Sequence, residues 1–385
     1  SMHDPQLNNL CIFRVKKESA YGNDANPADG LTPLLIASGA EPEIEGDVVE
    51  RNVVQSTYTP RGSILGAKRQ PFKFSIEAHG GLLDVGGSVQ PPDYGPILEA
   101  CGMQKTAVHR IACEAQPEGF ITGETVIGST SAATGVVQCL DDSVLVLRGV
   151  VGEFEEGETL TGSTSAATTV AAAEPVPGIE YRPVTSRMSA QSSALGYLYL
   201  DHVLYLLKGW RGTFELTGEA GKPCMLNFTG TALWTRPADV PDLPAVVPAD
   251  IVPPRLERAG ARLGAYAPVF KGVTFSLGGT LAPREDANSP EGIAEYYLGG
   301  RKPVIRIDPE QDKLANWDPY ALWEQRTKLP LGLTVGQEPG NRFRLHAPLF
   351  QIDKPGGSPR GSIRAYQIEG TCTGSGDDEF RLTYF

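Results

Sequence analysis

The sequence predicts a mainly β protein: two tandem β-sandwich or barrel units, each with one short helix, plus a small inserted β-module. Three observations lead there. The 385 residues include 44 glycines and 31 prolines, more turn-forming residues than a helix-rich chain of this length carries. Apolar and polar residues alternate through many short runs, the period of half-buried strands. A stretch of twelve residues, GETVIGSTSAAT from Gly123 to Thr134, returns thirty-four residues later as GETLTGSTSAAT from Gly157 to Thr168.

Residues 1–112 form the first part of the first unit. In FKFSIEAHG, Phe72, Phe74, Ile76 and Ala78 alternate with Lys73, Ser75, Glu77 and His79, which predicts a strand with one buried face. PPDYGPILEACGM then predicts one short helix, with Asp93 as N-cap and Gly102 as its stop. Residues 113–175 hold the repeat. Each copy joins a Phe to a Gly-Glu turn and a short β-prone piece, with the alternating DSVLVLRGVVG between them. Two copies are too few for a self-capping solenoid, so this segment is expected to be a compact appendage inserted at the surface. Residues 176–236 complete the first unit. GYLYLDHVLYLLKG, RGTFELTGEAGK and PCMLNFTGTALW predict an antiparallel meander whose apolar face carries Phe214, Leu216, Cys224, Leu226 and Phe228.

Between Arg236 and Pro254 lie six prolines in nineteen residues, a composition that extends as a semi-rigid connector and excludes a central strand. A linker is therefore expected at 237–254 and a second unit at 255–385. That unit repeats the order of the first: GVTFSLGGTL with Val273, Phe275 and Leu277 as a strand, DPYALWEQRTK as a short helix, then four strand-like runs to the end. The helix motifs PDYGPILEA and DPYALWE fall at the same relative place.

The formal charge is −12, and it is unevenly placed. Residues 113–175 contain ten acids against one base, Arg148, and so account for nine of the twelve negative charges. A surface of this sign does not attract nucleic acid by displacing counterions. The strong acidity suits a solvated outer face of the module. No apolar run reaches the length of a membrane span, and the first residues lack the basic and apolar regions of a secretion signal; no membrane is expected. The six cysteines show no paired spacing, which predicts neither zinc nor a redox pair and fits a reducing compartment.

Motifs for hydrolases, phosphate-binding loops and dinucleotide sites are missing from the sequence. His3, His79, His109, His202 and His346 stand singly, so the expectation is a non-enzyme with no cofactor and no metal. GSGDDEF at Gly374 to Phe380 lacks the ligand spacing of a calcium loop and reads as a solvated turn. Asn227 heads a formal glycosylation acceptor, but it sits between core-facing Leu226 and Phe228. TPRGSILGAKRQ, Thr59 to Gln70, carries Arg61, Lys68 and Arg69 without an acid. It reads either as an ordinary solvated loop or as an arm that docks on another subunit's acidic surface.

KKESAYGNDANPADGLTPLL, VVERNVV, the basic stretch, YGPILEACG and the run YLYLDHVLYLLKGWRGTFELTGEAGKPCMLNFTGTALW together resemble the tail tube (major tail) proteins of long-tailed bacteriophages. Their order covers most of residues 11 to 236, and the second half resembles a diverged copy of the same tube domain. The resemblance implies a structural virion protein assembled in the host cytoplasm. It implies a homo-oligomer, three two-domain subunits per pseudo-six-fold ring, with rings stacked into a hollow tube. Double-stranded DNA would pass through the lumen without specific binding, and the tape measure protein and other tail proteins would be partners. Subunit and ring contacts are carried onto Glu18, Ser19, Ala20, Tyr21 and Gly22, expected to order only against a neighbour, and onto Tyr58, Arg61, Ile64, Leu65, Lys68 and Arg69. Two other readings stand beside this one. One is a carbohydrate- or surface-binding protein using the GSTSAAT pair as its ligand face. The other is a different tail part of the same fold, a tail terminator or distal tail protein.

Overall fold

The computed structural model describes residue 7 and residues 10–385. Half of the chain is strand and one-twentieth helix. Its backbone is one antiparallel sheet of eight strands. In spatial order these are Glu45–Val49, Ile64–Glu77, Met225–Leu233, Val203–Glu219, Phe270–Ser276, Val304–Pro309, Ile363–Thr373 and Phe343–Arg360. The first four strands come from the first half of the chain and the last four from the second. In each half the strand that precedes a short helix pairs with the second arm of a later hairpin: Ile64–Glu77 with Met225–Leu233, and Val304–Pro309 with Ile363–Thr373. The helices, Gly95–Ala100 and Pro319–Glu324, occupy matching places in this succession.

Alternation decides which face is buried. Phe72, Phe74, Ile76, Leu226, Phe228, Phe214, Leu216, Val273, Phe275, Ile305, Ile307 and Ile368 point inward and are buried. Rings of the two halves meet there: Phe214 lies 5.8 Å from Phe275, which lies 4.5 Å from Phe380. The two expected sandwiches therefore share one core, running from Phe13 to Tyr384. Segment 237–254 skirts this core, with Ala238–Asp239 its only named strand; hydrogen bonds and packing, rather than the linker, join the halves.

Val203–Glu219 departs from the expected meander. It is a single strand of 17 residues, bent by a bulge between Lys208 and Arg211. Its first part pairs with Ala194–Leu200 across a tight turn in which Asp201 adopts φ 51°, and its second part enters the eight-stranded sheet. Bulges redirect a strand in this way. The first part belongs to a covering sheet with Cys11–Lys17 and Thr32–Leu34. Helix Gly95–Ala100 packs beneath it and buries Gly95, Ile97, Leu98 and Ala100. Gly102 ends this helix with φ 84°, but Asp93 does not cap it. Tyr94 holds the cap position, and the Asp93 carboxylate stands 3.4 Å from His79 Nε2. The second helix does have a carboxylate cap: Asp318 Oδ1 accepts from the amides of Tyr320 and Ala321.

The C-terminal strand Arg381–Tyr384 lies between Val176–Pro183 and Phe343–Arg360, a second link between the halves. Met103–Ala112 pairs with Val176–Pro183, and the module grows from the end of that hairpin.

A shared core predicts shared unfolding. Phe275→Ala is expected to cost about 3–5 kcal/mol. Hydrogen exchange should then rise together in 72–76 of the first half and 305–307 of the second. Faster exchange confined to the second half would show two independent cores.

Candidate assembly surfaces

The outward face of the eight-stranded sheet is polar across both halves. One lateral row reads Ser75, Asn227, Glu215, Ser276, Val304, Thr371 and Gln351; the next reads Glu77, Met225, Thr217, Thr274, Arg306, Glu369 and Lys354. Several bases on this face are held by carboxylates: Arg306 by Glu369 at 2.6 Å, Lys271 by Glu219 at 2.8 Å and Lys73 by Glu43 at 3.2 Å. The wall is thus hydroxyl- and amide-rich, with these three cations already paired.

At one end of the sheet, Glu45–Val49 and the start of Ile64–Glu77 form a hairpin from which residues 50–63 project. Val48, Val49, Val53, Val54, Tyr58, Ile64 and Leu65 are all exposed, Val54 and Tyr58 completely. The basic character expected of this arm is corrected by its partners. Arg69 pairs with Glu45 and Asp47 at 2.8 Å each, and Lys68 pairs with Glu291 at 2.7 Å. Arg61 donates to Gln55. What the arm offers is apolar surface. At the other end, Phe343–Arg360 carries Pro355 and Pro359, which lack the N–H a further strand would need and so blunt that edge.

The segment Glu18 to Gly22 is also corrected. It is a turn held within the chain and needs no neighbour to order it. Glu18 accepts from the Ser193 hydroxyl at 2.5 Å, the Gly209 amide at 2.9 Å and the Gly22 amide at 3.0 Å. The Tyr21 hydroxyl accepts from the Tyr296 amide at 2.8 Å, and Arg211 lies over the Tyr21 ring. Ser19 and Ala20 are exposed. Tyr21 thereby marks a joint that the sequence did not reveal. The hairpin of Thr280–Glu285 and Ile293–Gly300 reaches from the second half onto the first. Buried Arg211 donates to Glu295 at 3.1 Å and to the Tyr296 carbonyl at 2.7 Å, and Gln191 exchanges two hydrogen bonds with the Leu298 backbone. An arginine inside this largely apolar strand was the available signal.

The repeat builds a two-fold. Thr125–Gly128 and Thr159–Gly162 pair antiparallel, with Val126 opposite Gly162 and Gly128 opposite Leu160. Glu124 accepts from the amides of Thr164 and Ser165 and the Ser165 hydroxyl in the other copy; Glu158 accepts from the amides of Thr130 and Ser131 and the Ser131 hydroxyl. A side chain at Gly162 would stand 2.7 Å from Glu124 Oε1, which explains the glycine. Burial works against the Glu124 carboxylate, but the amides of Ile121, Ser165 and Thr164 and the Ser165 hydroxyl outweigh it and hold its pKa at about 2. The amides of Thr130, Ser131, Thr164 and Ser165 and the hydroxyls of Ser131 and Ser165 are therefore engaged inside the module. Phe120 and Phe154 are buried in its own core.

The module is not a free bud. Its strand Thr134–Asp141 pairs with Val144–Val151, which pairs with Met103–Ala112. Asp141 meets Arg344 of the second half in a bidentate pair, both contacts 2.6 Å, with Arg110 at 3.0 Å and His346 at 3.6 Å. Gln138 donates to Glu180, which stands 3.5 Å from Arg381. All of these side chains are buried. Burial alone would raise the Asp141 pKa, yet His346, Arg344 and Arg110 hold it far below the usual carboxylate range. Burial pushes His346 down to about 4 against the pull of Asp141.

The histidines do not converge. His79 faces Asp93, His202 stands 3.5 Å from Asp201, and His346 faces Asp141; His109 lies on Met103–Ala112, and His3 falls outside the described residues. Among the described residues no group of side chains has metal-ligand form, and no helix is long and apolar enough to cross a membrane. In the turn Gly374 to Phe380, Asp377 pairs with Arg301 and Asp378 accepts from its own loop amides.

Two outcomes are expected. Asp141→Asn leaves Arg344 and Arg110 facing a neutral partner and should destabilise the docked module by about 3–5 kcal/mol, read as faster exchange in residues 113–175. The buried neutral His346 contributes stability in full above its ordinary value of 6.5, and that share is lost as pH falls through about 4. A stability profile from pH 7 to 4 should thus slope downward in the native chain and flatten in His346→Gln.

No protein-family model and no curated protein matches the chain.

Proposed function

We propose that the chain is a structural protein whose activity is self-association: copies join side by side into rings, and the rings stack into the hollow tube of a phage tail. The observation that carries this reading is the single sheet of eight strands, four from each half, presenting a continuous polar face. A chain built of two matching sectors counts double in a ring, so three copies make six sectors. Set side by side, without a hydrogen-bonded ladder across the proline-blunted edge, their sheets would line a wall of roughly 24 strands, about 48 Å across at the backbone for a spacing of about 4.8 Å and a tilt of about 40°. That is wider than a DNA duplex. Thr, Ser and Asn side chains and carboxylate-paired bases give phosphate little to hold, which suits DNA passing through without being bound.

Closed symmetry limits lateral growth, and head-to-tail stacking continues it along one axis. The proline-blunted edge and the projecting apolar arm fit controlled association better than open sheet growth. The ring-to-ring reading rests on the apolar arm residues Tyr58, Ile64 and Leu65, since Lys68 and Arg69 are neutralised at its base. In this reading the protein belongs to the virion, with the tape measure protein and other tail proteins as partners.

Negative-stain microscopy of the purified full chain tests the proposal. Annular particles with three-fold repetition, or stacked tubes, are expected at high concentration. Globular monomers alone, even with tail-tip and tape-measure partners added, would overturn it. The same preparation should show no retention of duplex DNA at physiological salt.

A further inference from the structure

We infer that the apolar arm 45–65 of one copy covers the aromatic surface around helix Pro319–Glu324 of another. This rests on the reading that copies of the chain associate.

The inference comes from a contact the chain already makes with itself. The second half's hairpin, Thr280–Glu285 with Ile293–Gly300, immediately precedes Val304–Pro309 and lies on the first half. Its Leu298 side chain packs against Gly102, the residue that ends helix Gly95–Ala100. Beyond the helix it is tied down by Gln191, Arg211 and Tyr21. The first half has a hairpin in the matching place: Glu45–Val49 leads into Ile64–Glu77, the counterpart of Val304–Pro309. That hairpin has no surface of its own chain beneath its tip, since Val54 and Tyr58 are completely exposed.

The matching receptor is only partly covered. Helix Gly95–Ala100 buries four of its six residues, whereas Pro319–Glu324 buries only Pro319. Tyr320 and Trp323 are each 40% exposed and Leu314 is 52% exposed. They border a stack in which Tyr266 lies 4.7 Å from Trp317, and Trp317 and Tyr320 both meet Tyr366 edge-on. Arg326 follows this helix with φ 53°, as Gly102 follows the first. Two apolar surfaces on one chain, the arm tip fully exposed and the helix face partly so, thus stand in the relation that the covered pair already shows. Charge agrees in sign. Residues 50–63 carry Arg51 and Arg61 against Glu50, while 310–324 carry Asp312, Asp318 and Glu324 against Lys313, with Glu310 held by Arg360 at 3.6 Å. Aromatic anchors filling apolar surface are where association energy concentrates.

The full chain carrying the photoreactive residue benzoylphenylalanine at Tyr58 tests the contact. Illumination at associating concentration should join it to a peptide within 310–328 of a second copy. Trp323→Ser should weaken association by about tenfold or more in sedimentation, read well below the unfolding midpoint, which the loss of the buried part of the ring lowers. Tyr58→Ser, at the fully exposed tip of the arm, should weaken association likewise with thermal unfolding unchanged. Cross-links mapping elsewhere, or association at native strength in both serine variants, overturn this contact and leave self-association standing. A native chain that stays monomeric overturns both.

Discussion

Between Val203–Glu219 and Phe270–Ser276, five consecutive residue pairs lie in register, from Glu215 opposite Ser276 to Glu219 opposite Gly272. Because side chains alternate with period two, this ladder sends Leu216 and Phe275 into the core together and leaves Thr217 and Thr274 together on the polar face. A slip of one residue would expose Phe275 and bury a threonine, breaking the packing of Phe214 and Phe380 around it. The rest of the molecule follows from that alignment. It brings the hairpin at 280–300 over the first half, where Arg211 can reach Glu295, and it makes one wide wall from two half-chains.

Two kinds of polar burial serve this architecture differently. In the module, Glu124 and Glu158 reach into each other's copy and satisfy turn amides that would otherwise be orphaned. Their exchange makes the twelve-residue repeat necessary twice, since neither copy is complete alone. At the dock, Asp141, Arg344 and Arg110 are charges taken out of water, and such pairs add little net stability over an apolar contact. Their geometry does select one orientation of the module on the second half, because the bidentate arginine tolerates few alternatives.

The surface divides into parts that resist association and a part that invites it. Prolines at one edge, paired bases on the polar wall and a highly acidic module all discourage indiscriminate sheet growth. The arm at 45–65 runs the other way, presenting seven large apolar side chains to solvent, an amount that monomers seldom leave uncovered. The arm is thus the large exposed apolar feature on a surface otherwise dominated by polar and paired groups.

Strand alternation at 72–78, 214–216 and 273–277, the two short helices, and the separate character of 113–175 were legible because each depends on neighbours in the chain. Period and turn chemistry act over a few residues, and those residues are contiguous. The merging of the two halves was not legible, nor was the bend at Lys208 to Arg211, the docking of Asp141 or the neutralisation of Lys68 and Arg69. Apart from the bend, each of those is a pairing between residues well separated along the chain, such as Asp141 with Arg344 or Lys68 with Glu291. A carboxylate and a guanidinium written two hundred residues apart carry no mark of their partnership. Local periodicity belonged to the sequence; which edges met and which charges were matched was decided by tertiary packing, where distance in space replaces distance along the chain.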